Sequence, residues 1–154
     1  MLFIFVRLCL ASTEGSLLIA DSLSYLTRLP LASNRFTCSE KVFDNKRALS
    51  VAYDPRTEYI YWSEANVIFR AKMKSETQSY LKNNLFSIPV ERVAIFQNRQ
   101  PNWLALDWIS GNLFWTFLNR RNFIGVSRAD GSSKKTLISD ASNVGQIAIN
   151  PIKG

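Results

Sequence analysis

Leu104-Ala105-Leu106-Asp107-Trp108-Ile109-Ser110-Gly111-Asn112-Leu113-Phe114-Trp115-Thr116 is the stretch that decides the fold. It reads as an apolar strand closed by an aspartate, a Ser-Gly-Asn turn, and a second apolar strand with a tryptophan near its end. The same arrangement stands earlier in the chain. Leu49-Ser50-Val51-Ala52-Tyr53-Asp54-Pro55 leads to Ile60-Tyr61-Trp62-Ser63-Glu64, and Asp54 precedes Trp62 by the same 8 positions that separate Asp107 from Trp115. Leu17-Leu18-Ile19-Ala20-Asp21 is a third copy of the aromatic segment with Ile19 in the tryptophan position. Gln146-Ile147-Ala148-Ile149-Asn150-Pro151 is a third copy of the aspartate-bearing segment with Asn150 at its end. From Ile19 to Trp62 is 43 positions, from Trp62 to Trp115 is 53, and from Asp107 to Asn150 is 43 again. The chain therefore repeats a 43-residue unit that is enlarged once by ten, within residues 74–100.

Each aromatic segment is followed by a third element of alternating polarity. Tyr25–Leu31, Val67–Met73 and Phe123–Arg128 have the period of two expected of a strand with one wet face. Asp130-Gly131 reads as a hairpin turn, because glycine accepts the positive φ such turns require. Strands are expected at 16–20, 25–31, 35–42, 48–53, 58–62, 67–73, 90–96, 102–107, 112–116, 123–128, 134–138 and 146–149. No segment keeps a helical period for more than two turns. Short strands, four to a unit, repeating at this length are the signature of propeller blades. A β-sandwich has regular turns but no reason for the 43-residue self-similarity.

Composition agrees with a folded all-β chain. Of 154 residues, 47% are hydrophobic and 20% charged, and 4 Trp, 5 Tyr and 10 Phe favour pleated, half-buried surfaces. The net charge of +7 comes from scattered cations whose longest run is two, which does not make a nucleic-acid-binding arm. These cations either solvate the surface or steer an acidic partner. Histidine is absent, which removes the commonest general base and the commonest metal ligand. Cys9 and Cys38 fit neither a zinc site nor a disulfide-dense framework, and the sequence leaves open whether they pair. Residues 1–15 begin with an apolar stretch, MLFIFVRLCLA, that is too short to span a bilayer and is interrupted by Arg7. It reads as a signal remnant, a buried strand or a misassigned start. No transmembrane segment is expected in this chain.

The stretch from Pro101 to Thr116, with Asn122–Ser132 and Lys134–Ile138 after it, resembles the YWTD repeat, also called the low-density-lipoprotein receptor class B repeat. Ile60-Tyr61-Trp62-Ser63-Glu64 stands in for the name motif in the preceding copy, and the resemblance covers residues 16–154 apart from 74–100. It implies an incomplete six-bladed-type propeller of about three blades, each of four antiparallel strands, with repeats near 16–46, 47–100, 101–142 and 143–154. With the aspartate-bearing strand innermost, the first blade begins at its second strand, and 146–149 opens a further blade. The motif's final aspartate, which ties neighbouring repeats together, is replaced here by Glu64 and Phe117; glutamate keeps an acceptor and phenylalanine has none.

The resemblance further implies an extracellular or cell-surface protein-binding module of a lipoprotein-receptor-related receptor, serving ligand binding, endocytosis or signalling. A basement-membrane or matrix linker is the alternative, and a six-bladed-propeller hydrolase a weaker one. Its partners are a protein ligand and the neighbouring blades or domains of a longer parent chain, not nucleic acid. Asp54, Trp62, Asp107 and Trp115 are structural repeat positions, and Arg56, Tyr59, Asn119, Arg120, Arg121 and Asn122 are candidate ligand-face loop residues. Asp54 and Asp107 could in principle hold calcium or act as acid and base. Recurrence in successive copies argues instead for turns closed by the side chain, so no catalytic residue, metal site or cofactor is assigned.

Overall fold

The computed structural model describes the backbone of residues 16–21, 25–30, 40–44, 47–73, 89–117, 123–140 and 144–151, and side chains from residue 47 onward among these. Eleven strands form three antiparallel sheets. The first holds β1 (Ser16–Asp21), β2 (Tyr25–Pro30) and β3 (Glu40–Asp44). The second holds β4 (Ser50–Asp54), β5 (Tyr59–Glu64), β6 (Val67–Lys72) and β7 (Glu91–Ile95) in that order. The third holds β8 (Pro101–Asp107), β9 (Asn112–Phe117), β10 (Ile124–Arg128) and β11 (Lys135–Ile138). No helix longer than a single turn occurs among the described residues.

Eleven of the expected strands thus form, within a residue or two at most boundaries. For the third, expected at 35–42, the strand occupies Glu40–Asp44 and residues 35–39 lie outside the described set. The twelfth does not form: residues 146–149 pair with no strand among the described residues. An apolar, alternating sequence is insufficient for a strand when no neighbouring backbone is placed to complete its hydrogen bonds.

Register makes the two complete sheets copies of each other. In the second, Val51 lies opposite Trp62, which lies opposite Phe69. In the third, Leu104 lies opposite Trp115, which lies opposite Gly125. Burial falls from the first strand to the last. Every residue of β4 is buried and every residue of β11 is exposed, so the inner strand is covered on both faces and the outer one faces water. This accounts for β4 and β8 reading as nearly continuous apolar runs.

The alternation of strand residues sends the second sheet's side chains to two cores. Val51, Tyr53, Ile60, Trp62 and Ala71 make one cluster, on which Phe69 and Met73 pack. On the opposite face, Ala52, Tyr61, Ile68 and Ala94 meet Leu104, Leu106, Leu113, Trp115 and Phe117 of the third sheet. The inner strands are also joined by polar contact: Leu104 N–H donates to Ser50 Oγ at 3.0 Å. β1 lies against β4 as β5 lies against β8, so the first sheet stands to the second as the second stands to the third.

Phe117, in the place of the motif aspartate, packs into the seam between the second and third sheets. Phe117 is 2% exposed and packs edge-on against Phe96, just after β7, with ring centroids 5.0 Å apart. The seam gains aromatic contact where the motif would have supplied a hydrogen bond. Glu64 Oε2, by contrast, finds no hydrogen-bond partner among the described residues.

Gly131 provides a second tie between the sheets. It takes φ of 90° in the β10–β11 turn, and a Cβ built there would stand 2.0 Å from the Val93 carbonyl oxygen of β7. Only glycine lets the two backbones approach this closely.

Candidate functional site: the cleft between the second and third sheets

Two turns built on the same plan set one rim of the molecule. Asp54 Oδ1 accepts from Arg56 N–H at 3.0 Å, and its carbonyl accepts from Glu58 N–H at 2.8 Å. Asp107 Oδ1 accepts from Ile109 N–H at 3.0 Å, and its carbonyl accepts from Gly111 N–H at 2.8 Å. Glu58 and Gly111 both take positive φ, 60° and 70°, to return the chain into the next strand. Both carboxylates are thus occupied in folding their own turns.

Asp107 also accepts from Ser110 N–H at 3.2 Å and from the Ser110 hydroxyl. That hydroxyl above all, with the two amides, holds the Asp107 carboxyl below the ordinary carboxylate range. A depressed folded-state pKa gives stability that is fully present above the unfolded value and is lost as pH falls through the folded one. Asp107→Asn keeps an acceptor but has no such charge to titrate. Its stability deficit relative to the parent is expected to shrink as pH is lowered from neutral to below about 4, read by denaturant unfolding at each pH. A deficit that stays constant would place the effect elsewhere.

Beside these turns lies a cleft of about 520 Å³, open to solvent. The second sheet lines it with Arg56, Tyr59, Tyr61 and Arg70, and the third with Arg128 and Asp130. Arg70 organises it. Its Nε and Nη2 donate to Glu91 Oε2 at 2.8 and 2.6 Å, and its Nη1 donates across the seam to the Ala129 carbonyl at 3.3 Å. The guanidinium also sits 4.7 Å from the centre of the Tyr59 ring. Burial raises the Tyr61 phenol above its usual range, while the Arg70 guanidinium beside it acts in the opposite direction. On the other wall Arg128 Nη1 donates to the Ser110 carbonyl at 3.2 Å. Asp130 is held below the ordinary carboxylate range, chiefly by the Ser132 amide donating to it at 2.8 Å.

The candidate residues are placed unevenly. Arg56 and Tyr59 share this cleft with Asp54. Arg56 is half exposed and its Nε lies 3.9 Å from Asp54 Oδ1. Tyr59, a candidate loop residue that also falls within the strand expected at 58–62, is the first residue of β5 and pairs with Lys72. The turn takes in Glu58, which absorbs the positive φ, so the strand begins one residue later than expected. Asn119, Arg120, Arg121 and Asn122 lie outside the described residues. Phe117 and Phe123, which flank that segment, stand at the end of the third sheet away from the Asp107 turn. Trp62 and Trp115 are buried, and Trp108 packs half-buried against the seam cluster. Sequence reasoning missed Arg70 and Arg128. Both read as ordinary wet-face residues of their strands, and their convergence depends on how two sheets are set side by side. Among the described residues no group of three or more His, Cys, Asp or Glu could hold a metal ion.

Three antiparallel sheets set side by side, the two complete ones matching in register, define an incomplete β-propeller. The repeat and the similarity to known proteins support the low-density-lipoprotein-receptor YWTD propeller family, of which the chain matches part. It is 30% identical over 106 residues to low-density lipoprotein receptor-related protein 5 of Mus musculus, a match covering 68% of this chain and 6% of that relative. Among solved structures it resembles a chain of a nidogen/laminin complex, with a TM-score of 0.68 and 22% identity, covering 85% of this chain and 48% of that one. It also resembles the β-propeller domain of Myceliophteria thermophila Cps50 (Swd1), with a TM-score of 0.61 and 12% identity, covering 93% of this chain and 46% of that one. The chain thus spans about half the length of these solved propellers and a small part of the curated relative. No family model matches it. No described helix is long and apolar enough to cross a membrane.

Proposed function

We propose that this chain is a protein-binding segment of an extracellular receptor of the lipoprotein-receptor-related kind. Its strands are committed to sheets, so a partner is met by turns and by the clefts between blades. The observation that carries the reading is the rim cleft, where Arg56, Tyr59, Arg128 and Asp130 stand on two sheets around one opening. Arginine and tyrosine are the side chains most able to anchor a protein partner, by bidentate hydrogen bonding and by broad apolar contact. The non-enzymatic reading is supported by the engagement of Asp54 and Asp107 with their own turns. It is also supported by the kinds of protein the chain resembles. The nidogen/laminin likeness favours the second reading, a matrix linker, and makes laminin the first probe.

The test is surface plasmon resonance of the full chain against purified secreted proteins, beginning with laminin. Saturable binding is expected to at least one, weakened tenfold or more by Arg56→Glu and by Arg128→Glu. Binding to none, or binding indifferent to both substitutions, overturns the reading. Saturable binding to laminin selects the linker.

A further inference from the structure

The turn between β10 and β11 carries a chemically reactive pair, Asp130-Gly131. Glycine has no Cβ to shield its amide nitrogen, so in an Asp-Gly pair the main chain readily attacks the side chain before it. From the protonated acid, the Gly131 nitrogen bonds to Asp130 Cγ, and the amide proton leaves with the carboxyl hydroxyl as water. A five-membered succinimide ring results. Water then adds to either ring carbonyl. Opening at one restores aspartate; opening at the other routes the main chain through Cβ and leaves isoaspartate. One water leaves and one returns, so the product keeps the mass of the parent and no co-reactant is consumed.

The folded turn opposes this attack in three ways. The Gly131 N–H, which must give up its proton, donates to the Arg128 carbonyl at 2.8 Å. The Asp130 carboxylate accepts from Ser132 N–H at 2.8 Å, and that bond above all holds its pKa below the ordinary range, away from the acid form the attack requires. The third obstacle is backbone shape. The bond from Gly131 back to Arg128 defines a turn with Ala129 and Asp130 at its centre; neither has positive φ, whereas Gly131 has φ of 90°. That is a type I turn followed by a left-handed glycine, in which ψ of Asp130 lies near about 0°. Ring closure needs ψ rotated far from there, to bring the nitrogen over the carboxyl carbon. Water is not excluded, since Asp130 is exposed. The restraint is the turn itself, and the second sheet holds the turn. Gly131 sits against the Val93 carbonyl of β7, and the Ala129 carbonyl accepts from Arg70 Nη1 at 3.3 Å.

We propose that Asp130-Gly131 is a latent modification site, silent while the β10–β11 turn is docked on the second sheet and converted to isoaspartate once the turn opens. Local opening of a surface hairpin is enough to expose it. The conversion also prevents its own reversal by refolding. Isoaspartate lengthens the main chain by one carbon where even a Cβ on Gly131 would stand 2.0 Å from the Val93 carbonyl oxygen. The carboxylate, now carried directly on Cα, is one bond shorter and loses its hold on the Ser132 amide. The turn cannot dock again, and the wall that Arg128 and Asp130 give the rim cleft is lost with it.

The test follows the tryptic peptide Ala129–Lys134, released by cleavage after Arg128 and after Lys134. The full chain is held at neutral pH and one temperature, in buffer and in guanidinium chloride beyond its unfolding transition, with circular dichroism confirming sheet in the buffer sample. The isoaspartyl peptide, equal in mass and resolved by chromatography, is expected to accumulate at least tenfold more slowly in buffer. Arg70→Ala, which unties the Ala129 carbonyl, should raise the rate in buffer at least threefold and leave the rate in denaturant unchanged. Chain converted in denaturant and returned to buffer gives an independent reading. Amides of β10 and β11 are expected to exchange at least tenfold faster in the isoaspartyl chain than in the unconverted chain, and those of β4 and β5 equally in both. Equal conversion in buffer and denaturant, a rate in buffer indifferent to Arg70→Ala, or unaltered exchange of β10 and β11 would each overturn the proposal.

Discussion

Trp115→Ala is expected to lower unfolding free energy by about 3–5 kcal/mol, the range for removing a large aromatic side chain from a core that cannot collapse around the loss. Trp115 is 2% exposed and lies where both sheets converge, 5.4 Å from the Phe96 ring and opposite Leu104. Its surroundings come from strands of two sheets, so a cavity there weakens the seam as well as the third blade. Trp62→Ala should fall in the same range, because Trp62 is 0% exposed at the same register position and stacks on Phe69 at 5.6 Å. Urea unfolding of both variants, followed by tryptophan fluorescence and by circular dichroism, measures the losses. A loss below about 1 kcal/mol at either position would mean that the indole is not part of a close-packed core.

Gly125→Ala is expected to cost about 1–3 kcal/mol, although alanine is ordinarily the better strand residue of the two. The reason is the neighbour. A Cβ at position 125 would stand 2.4 Å from Trp115 Cε2 and Nε1, inside any allowed contact, and the ring is walled in on its other side by Phe96. The two predictions are coupled. In a Trp115→Leu background the alanine should cost much less, since the smaller side chain vacates the contested volume, so the double-mutant cycle should be strongly non-additive. Additive losses would show that the glycine is needed for its backbone alone. At the matching position of the second sheet, Phe69 stacks on the tryptophan instead of yielding to it. The same site is thus filled from opposite partners in the two blades.

The repeat made the sheets legible because spacing in sequence becomes register in space. The 8 positions from Asp54 to Trp62 and from Asp107 to Trp115 run from the last residue of one strand through a turn and into the next strand, and both copies fold that way. The expected strand at 146–149 has the same local pattern; what it lacks, among the described residues, is a backbone beside it, which no local pattern records. The cleft was half legible. Arg56 stands out because it follows a turn signature, whereas Arg70 sits mid-strand and reaches its role only through Glu91, 21 residues away, and Ala129, 59 residues away. The compensation at Phe117 was hidden for the same reason. Losing an acceptor is visible in one motif, but gaining Phe96 as a neighbour requires the adjacent blade.

The close approach of Gly131 to the Val93 carbonyl bears on how evenly such sheets can be spaced. At the periphery, where side chains are sparse, the distance between two blades is fixed there by main chain touching main chain. Any bulkier residue at that point must swing the outer hairpin away and change the wedge angle between the sheets. Because a ring closes only when its angles sum correctly, a fault at the circumference would be carried around the axis and appear as misfit at the far joint.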